Sequence, residues 1–117
     1  MDIKVLTELQ EIHVAAWNEN NPTKRKELLE RIYAEDIKMY DKDFILEGLN
    51  AVSDFIGKLI TEDQAYHFAA AKPIEPLQDS ARFYGQIQTS GGLLNSMDFF
   101  LFEHTKVKHL YAFMEPA

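Results

Sequence analysis

Apolar residues follow two regimes along the chain, helical spacing before Asp63 and two-residue spacing after it. From Asp2 to about Asn18, Val5, Leu9, Ile12 and Ala16 recur every three or four positions, and Leu6, His13 and Trp17 widen the same stripe. One face of a helix carries such a pattern. Asn18-Glu19-Asn20-Asn21 ends it, and Asn21 before Pro22 supplies the cap and first position of a second helix that buries Leu28, Leu29, Ile32 and Tyr33. Ile37 to Asp41 alternates and reads as a strand, and Phe44-Ile45-Leu46 as a short second one closed by Gly48. Asn50 then reads as the cap of a third helix through Val52, Phe55, Ile56, Leu59 and Ile60. Asp54 falls in its first turn and Gly57 at a tight helix–sheet contact.

Beyond Asp63 the alternation predicts strands near 65–76, 80–90, 92–103 and 106–115, with turns at Gly91-Gly92 and His104-Thr105. Pro73 and Pro76 should interrupt the first of these. The last two strands do not alternate cleanly: Met97 to Phe102 and Leu110 to Met114 are apolar on both faces apart from Asp98. A sheet with one wet face would alternate, so both faces are covered. Helices cover one. The other is expected to pair with a second copy of the chain, as a homodimer through the outer sheet face, where Arg82, Tyr84, Gln86 and Gln88 lie and Arg82 could meet a partner carboxylate.

The chain has 117 residues, which predicts a single domain over 1–117 with a core of its own. A net charge of −7 makes nucleic acid and anionic membrane unsuitable partners. Cysteine is absent, which removes disulfides and thiolate chemistry and fits a cytoplasmic setting, as does a start without an apolar signal segment. The four histidines form no metal-binding pattern, Asp36, Asp41 and Asp43 lack the rest of a calcium loop, and no phosphate-cradling glycine loop occurs. No metal and no cofactor is expected.

Three segments carry a resemblance. They are Tyr33-Ala34-Glu35-Asp36-Ile37-Lys38-Met39-Tyr40-Asp41; Glu47-Gly48-Leu49-Asn50-Ala51-Val52-Ser53-Asp54-Phe55-Ile56; and Asp98-Phe99-Phe100-Leu101-Phe102-Glu103 with Lys106-Val107-Lys108-His109-Leu110. In this order they resemble the SnoaL-like branch of the nuclear transport factor 2-like superfamily, which includes ketosteroid isomerases and polyketide cyclases. The resemblance implies an α+β cone: a curved mixed or antiparallel sheet wrapped around three helices, with an apolar pocket at the wide end and often a dimer through the outer face. It implies a small-molecule pocket protein, either a cofactor-free isomerase, cyclase, dehydratase or hydrolase acting on a small apolar substrate, or a non-catalytic ligand-binding or dimerisation domain. Fold alone does not choose among these.

Three polar residues are candidates for the chemistry. Alternation puts Asp41 on one face with Ile37 and Met39, and an acid among apolar groups can shuttle protons near neutrality. The resemblance places it at the isomerase general base, although Lys42 stands where a proline usually follows. The plain reading of Asp41-Lys42-Asp43 is a solvated turn. Asp98 lies in a strand too apolar to hold an unpartnered charge. It matches the isomerase aspartate that donates a hydrogen bond to a developing enolate, and it also reads as a structural acid. His13 shares the stripe of Leu9 and Trp17 and stands where the isomerases keep a tyrosine. It could complete a proton relay with an aspartate or be a satisfied core residue. These three are expected to line one cavity. Its walls would come from Trp17, Met39, Phe55 and Phe68, then Phe83 and Phe100, and from the last strand Leu110, Ala112 and Met114.

Overall fold

A computed structural model describes residues 2–117. The change of period at Asp63 marks the change from helices to strands. The elements are α1 (Ile3–Ala16), α2 (Pro22–Ile32), β1 (Tyr33–Tyr40), β2 (Ile45–Glu47), α3 (Leu49–Glu62), β3 (His67–Ala70), β4 (Glu75–Leu77), β5 (Ser80–Thr89), β6 (Gly92–Glu103) and β7 (Lys106–Pro116). Capping sets the first two helix starts. The Asp2 carboxylate accepts from the Lys4 and Val5 amides, and the Asn21 side chain accepts from Lys24 with Pro22 following it.

The strands form one sheet in the order β2-β1-β7-β6-β5-β3, with β4 also on β5. Every pairing is antiparallel except β1 with β7. Register shifts between Tyr33 and Lys38 on β1 and between Leu101 and Phe102 on β6 bend the long strands. The curved sheet wraps α1, α2 and α3, giving the α+β cone. Its inner face buries Ile37 and Met39 of β1, Phe83 of β5, Phe100 of β6 and Leu110 of β7. The helices meet them with Leu9, Ile12 and Ala16, with Leu29 and Ile32, and with Val52 and Ile56.

The edge strand β3 and the segment after it are closed by side chains from α1 and the residues that follow it. The Asn18 amide accepts from Phe68 N at 2.9 Å and donates to Phe68 O at 2.7 Å, and Gln10 Oε1 accepts from Ile74 N at 2.8 Å. These bonds occupy backbone groups that an open edge would offer to another chain.

Several local expectations are corrected. Asn50 does not cap α3. Gly48 does, at φ 92°, a conformation that glycine reaches freely, so the helix starts directly off β2 and Asp54 falls beyond its first turn. Gly57 faces a helix rather than the sheet: a Cβ there would lie 2.8 Å from Arg25 Nη2. Arg25, buried on α2, donates to Ser53 Oγ at 3.0 Å and to Glu19 O at 2.8 Å, joining α2, α3 and the α1–α2 loop. Val5 is exposed at the start of α1, and Leu6 takes its place in the core. The expected interruption occurs at Pro73, between β3 and β4, whereas Pro76 lies on β4 opposite Ala81. Arg82 is paired inside its own chain, with Glu75 at 3.0 Å. No helix among the described residues is long and apolar enough to cross a membrane.

Gly85 sits at a close approach between β5 and side chains of β3 and β6. An added Cβ would lie 2.8 Å from Phe68 Cε1 and 2.9 Å from Ser96 Oγ. Replacing Gly85 by Ala should lower stability by about 1–3 kcal/mol, because a packed ring and a strand side chain must both move. Chemical denaturation checks this; an unchanged midpoint would show that the Phe68 ring yields freely.

Candidate functional site

The inner face opens at the wide end of the cone into a cavity of about 220 Å³. Trp17 of α1, Phe55 and Leu59 of α3, and Tyr66 and Phe68 form one side. Met39, Ile87, Leu94, Ala112 and Met114 of the sheet form the other. Its acidic side chains are Asp41, Asp63 and Asp98, and among the described residues no Lys, Arg or His lines it.

Asp98 comes from the middle of β6, opposite Phe83 on β5 and Ala112 on β7. Tyr40 pairs with Tyr111, so Asp41 and Ala112 are the next residues along β1 and β7. Ala112 thus separates the two carboxylates by two strand spacings, roughly 10 Å between backbones. Its small side chain leaves the space between them open.

Behind Asp98 lies a chain of buried hydrogen bonds. Trp17 Nε1 donates to Tyr33 Oη at 2.9 Å, Tyr33 Oη is 2.7 Å from His13 Nδ1, and His13 Nε2 is 3.3 Å from Asp98 Oδ2. The direction follows from the donor inventory. An indole N–H can only donate, so Tyr33 accepts from Trp17, which leaves its own proton available to His13 Nδ1. With that proton in the Tyr33–His13 bond, His13 Nε2 carries the hydrogen aimed at Asp98. Every donor in the chain points toward the carboxylate. Tyr33 is fully enclosed, and burial pushes its hydroxyl far above the ordinary tyrosine range, so it stays protonated in this role.

His13 does not line the cavity. It is 1% exposed and enclosed by ring edges of Phe68, Phe83 and Phe100, with centroids 5.6, 5.7 and 5.1 Å away. Phe83, Phe100 and Leu110 are likewise core residues and not cavity walls: each is fully buried, and the first two pack on the imidazole. Trp17, Met39, Phe55, Phe68, Ala112 and Met114 do face the cavity. Asp41 is half-buried, and its Oδ1 accepts from the Asp43 amide at 3.1 Å, so it serves both the strand-end turn and the cavity.

Four participants escaped the sequence reading. Tyr33 reads as a buried helix-end residue, and nothing local reveals its hydroxyl partners. Tyr66 lines the cavity two residues before Phe68 and donates to Trp17 O at 2.7 Å; burial raises its hydroxyl well above the ordinary range. Asp63 follows α3 and accepts from the Ser90 and Ala65 amides and the Ser90 hydroxyl, which hold its carboxyl below the usual range. Ser96 is 5% exposed, and its Oγ has no hydrogen-bond partner. The period-two spacing of Ser96 and Asp98 was the available signal for a shared face. Among the described residues, no group of three or more His, Cys, Asp or Glu could hold a metal ion.

Neither a known family model nor a curated protein matches the sequence. Solved structures match closely in shape. A proposed isomerase of the SnoaL-like family from Agrobacterium tumefaciens is 18% identical, with a TM-score of 0.83 over 96% of this chain and 98% of that one. A nuclear transport factor 2-like protein of unknown function from Cytophaga hutchinsonii is 13% identical, with a TM-score of 0.74 over 99% and 94%. A protein with a ketosteroid isomerase-like fold from Catenulispora acidiphila, solved in complex with trimethylamine, is 13% identical, with a TM-score of 0.74 over 90% and 83%. The chain has the nuclear transport factor 2-like fold, in the form seen in SnoaL-like proteins. At these identities the likeness establishes the fold, and activity must be argued from the cavity.

Replacing Tyr33 by Phe should cost about 1–3 kcal/mol, since it leaves the Trp17 indole and the His13 Nδ1 unpaired in the core. Nitrogen-15 NMR should find His13 as the Nε2–H tautomer in the unaltered protein and a mixture in the variant. The Nδ1–H form in the unaltered protein would reverse the direction of the chain.

Asp63 gives a pH dependence. Its folded value is lowered, so its contribution to stability is present above the unfolded carboxyl value of about 4 and lost as pH falls through the folded value. Asp63→Asn should therefore destabilise the protein at neutral pH and converge with the unaltered protein in acid. Equal stability at neutral pH would show that the Ser90 contacts contribute nothing.

Proposed function

We propose that this chain binds a small, mostly apolar molecule in the cone and carries out cofactor-free proton transfer on it, with Asp98 as the base. One observation carries the reading: a buried carboxylate on the wall of an apolar cavity is held by a hydrogen-bond chain whose donors all point at it. A general base must accept a proton at a fixed position in a site that excludes water. Oδ2 is oriented by His13, which leaves Oδ1 as the atom to receive a proton from substrate. Isomerisation, aldol cyclisation and dehydration share such a step, removal of a proton from carbon beside a carbonyl. Asp41, at the other side of Ala112, is placed to return or relay that proton.

His13 acts as a positioning residue, since it reaches the cavity only through Asp98. These assignments move the base from Asp41, where the resemblance implied it, to Asp98. Of the solved neighbours, one was obtained with a small amine, which supports a small-molecule role for this fold. The competing reading, a binding domain without chemistry, is favoured by the use of Asp41 Oδ1 in the turn to Asp43.

Deuterium exchange from heavy water into a panel of small ketones tests the reading even while the natural substrate is unidentified. The protein should accelerate exchange for at least one member, and Asp98→Asn should lower that rate by a factor of about 100 or more. Exchange unaffected by Asp98→Asn would remove its role as base. Ligand binding to the panel without any exchange would leave the binding domain.

Assembly through the outer sheet face belongs to the same proposal. Tyr84, Met97 and Phe113 form one row across β5, β6 and β7, and Phe99 and Tyr111 form the next. Phe113 is 57% exposed. A second copy would cover these rings. Light scattering should give twice the chain mass at micromolar concentration, and Phe113→Glu should return it to the monomer. A monomeric mass for the unaltered protein would rule the dimer out.

A further inference from the structure

The cavity contains a charge imbalance that an uncharged ligand does not use. Asp41, Asp63 and Asp98 all line it, and among the described residues no basic side chain does. Lys42, next to Asp41 in sequence, is exposed and does not line it. Four aromatic rings, those of Trp17, Phe55, Tyr66 and Phe68, face the same space. Ring faces carry negative charge density, so rings and carboxylates together attract a cation and repel an anion.

A second observation is an unpartnered hydroxyl at the cavity wall. Ser96 Oγ is buried on its wall without any partner. A buried hydroxyl left unpaired is costly, and nearly all such groups are satisfied. Ser96 stands two residues from Asp98 on the same inner face, about 7 Å along β6. A χ1 rotation of Ser96 would bring its proton to an acceptor oxygen on the ligand, beside the carboxylate.

We propose that the ligand is a small amine, bound as its ammonium cation between the aromatic rings and the outer carboxylates Asp41 and Asp63, with an oxygen reaching Ser96. This rests on the cavity being a ligand site, and it narrows the class of ligand. Asp63 suits the role, since the Ser90 and Ala65 amides keep it anionic well into acid. The depth of the cavity leaves Asp98 to the reacting end and the two outer acids to the charge. Acidic or phosphorylated metabolites are disfavoured by the same field.

Three probes of one shape test the charge: 2-phenylethylamine, 2-phenylethanol and 3-phenylpropionate, titrated into the full chain at neutral pH and followed by NMR shifts of the cavity residues. The amine should bind about tenfold or more tighter than the alcohol, and the acid weakest of the three. Added salt should weaken the amine alone. Asp41→Asn and Asp63→Asn, made singly, should each lower amine affinity severalfold and leave the alcohol unchanged. An amine that binds no tighter than the alcohol overturns the inference and leaves the apolar pocket standing. If none of the three shifts the cavity residues, the pocket reading falls as well. Because the probes are compared on the unaltered protein, the outcome does not depend on any variant folding.

Discussion

A carboxylate on the inward face of β6 is the constraint around which this molecule is arranged. Asp98 is 8% exposed, in a strand whose neighbours Phe83 and Phe100 are core residues. Left alone there it would be strongly unfavourable. His13 answers it, and the imidazole then needs a partner for its second nitrogen. Tyr33 supplies one, and its oxygen in turn takes the Trp17 proton. The chain leaves α1 at Trp17, crosses to the first residue of β1 and returns to α1 at His13 before reaching β6. It therefore fixes how α1 sits across the sheet. Rotating α1 by one residue would turn both His13 and Trp17 out of it, since they lie one helical turn apart.

That placement explains where the cavity opens. α1 ends at Ala16, and the Trp17 indole turns toward Tyr33 with one edge left facing the wide end. β7 outruns β1: its last partner there is Tyr40, while β6 and β7 continue to the Leu94–Pro116 pair. The sheet beyond Tyr111 has no β1 beside it, so Ala112 and Met114 border open space rather than core. α3 closes the far side only as far as Glu62, and Asp63 caps the turn at Ser90. The acids Asp41 and Asp63 thus stand at element ends around the mouth, and Asp98 stands in mid-strand within.

Elements were legible where period and capping agree. The Asn21-Pro22 start and the β5–β6–β7 meander depend on neighbours in sequence, and short-range physics suffices for them. The fold could be recognised because its order of elements is distinctive. Where the reading failed, a longer-range fact decided. Gly48 starts α3 through a positive φ that Asn50 could not announce, and Gly57 meets Arg25 from another helix. Asp41 and Asp98 were placed on the cavity by strand alternation, which two-residue spacing states directly. His13 was read onto the correct helix face, but a helix face does not specify depth. Phe68 and Asp98 lie between it and the open space. The Tyr33 hydroxyl and the unpaired Ser96 hydroxyl depend on atoms from several elements, and no local pattern encodes them.

Histidine at position 13 also bears on what chemistry the cone can host. A tyrosine there could aim its hydroxyl at a ligand oxygen, acting as a donor to developing negative charge. Histidine is shorter, and here both of its nitrogens are engaged within the protein: one accepts from Tyr33 and the other donates to Asp98. The donor capacity of α1 is thus directed at the aspartate and withheld from the cavity. What the cavity receives is a single oriented carboxylate, two outer acids and one free hydroxyl at Ser96. Such a set can take a proton and hold a cation, and it offers an enolate oxygen only the Ser96 proton. The polarity of the site therefore differs from what its shape suggests, because direction in a hydrogen-bond chain is set by which atoms carry protons and not by the curvature of the sheet around them.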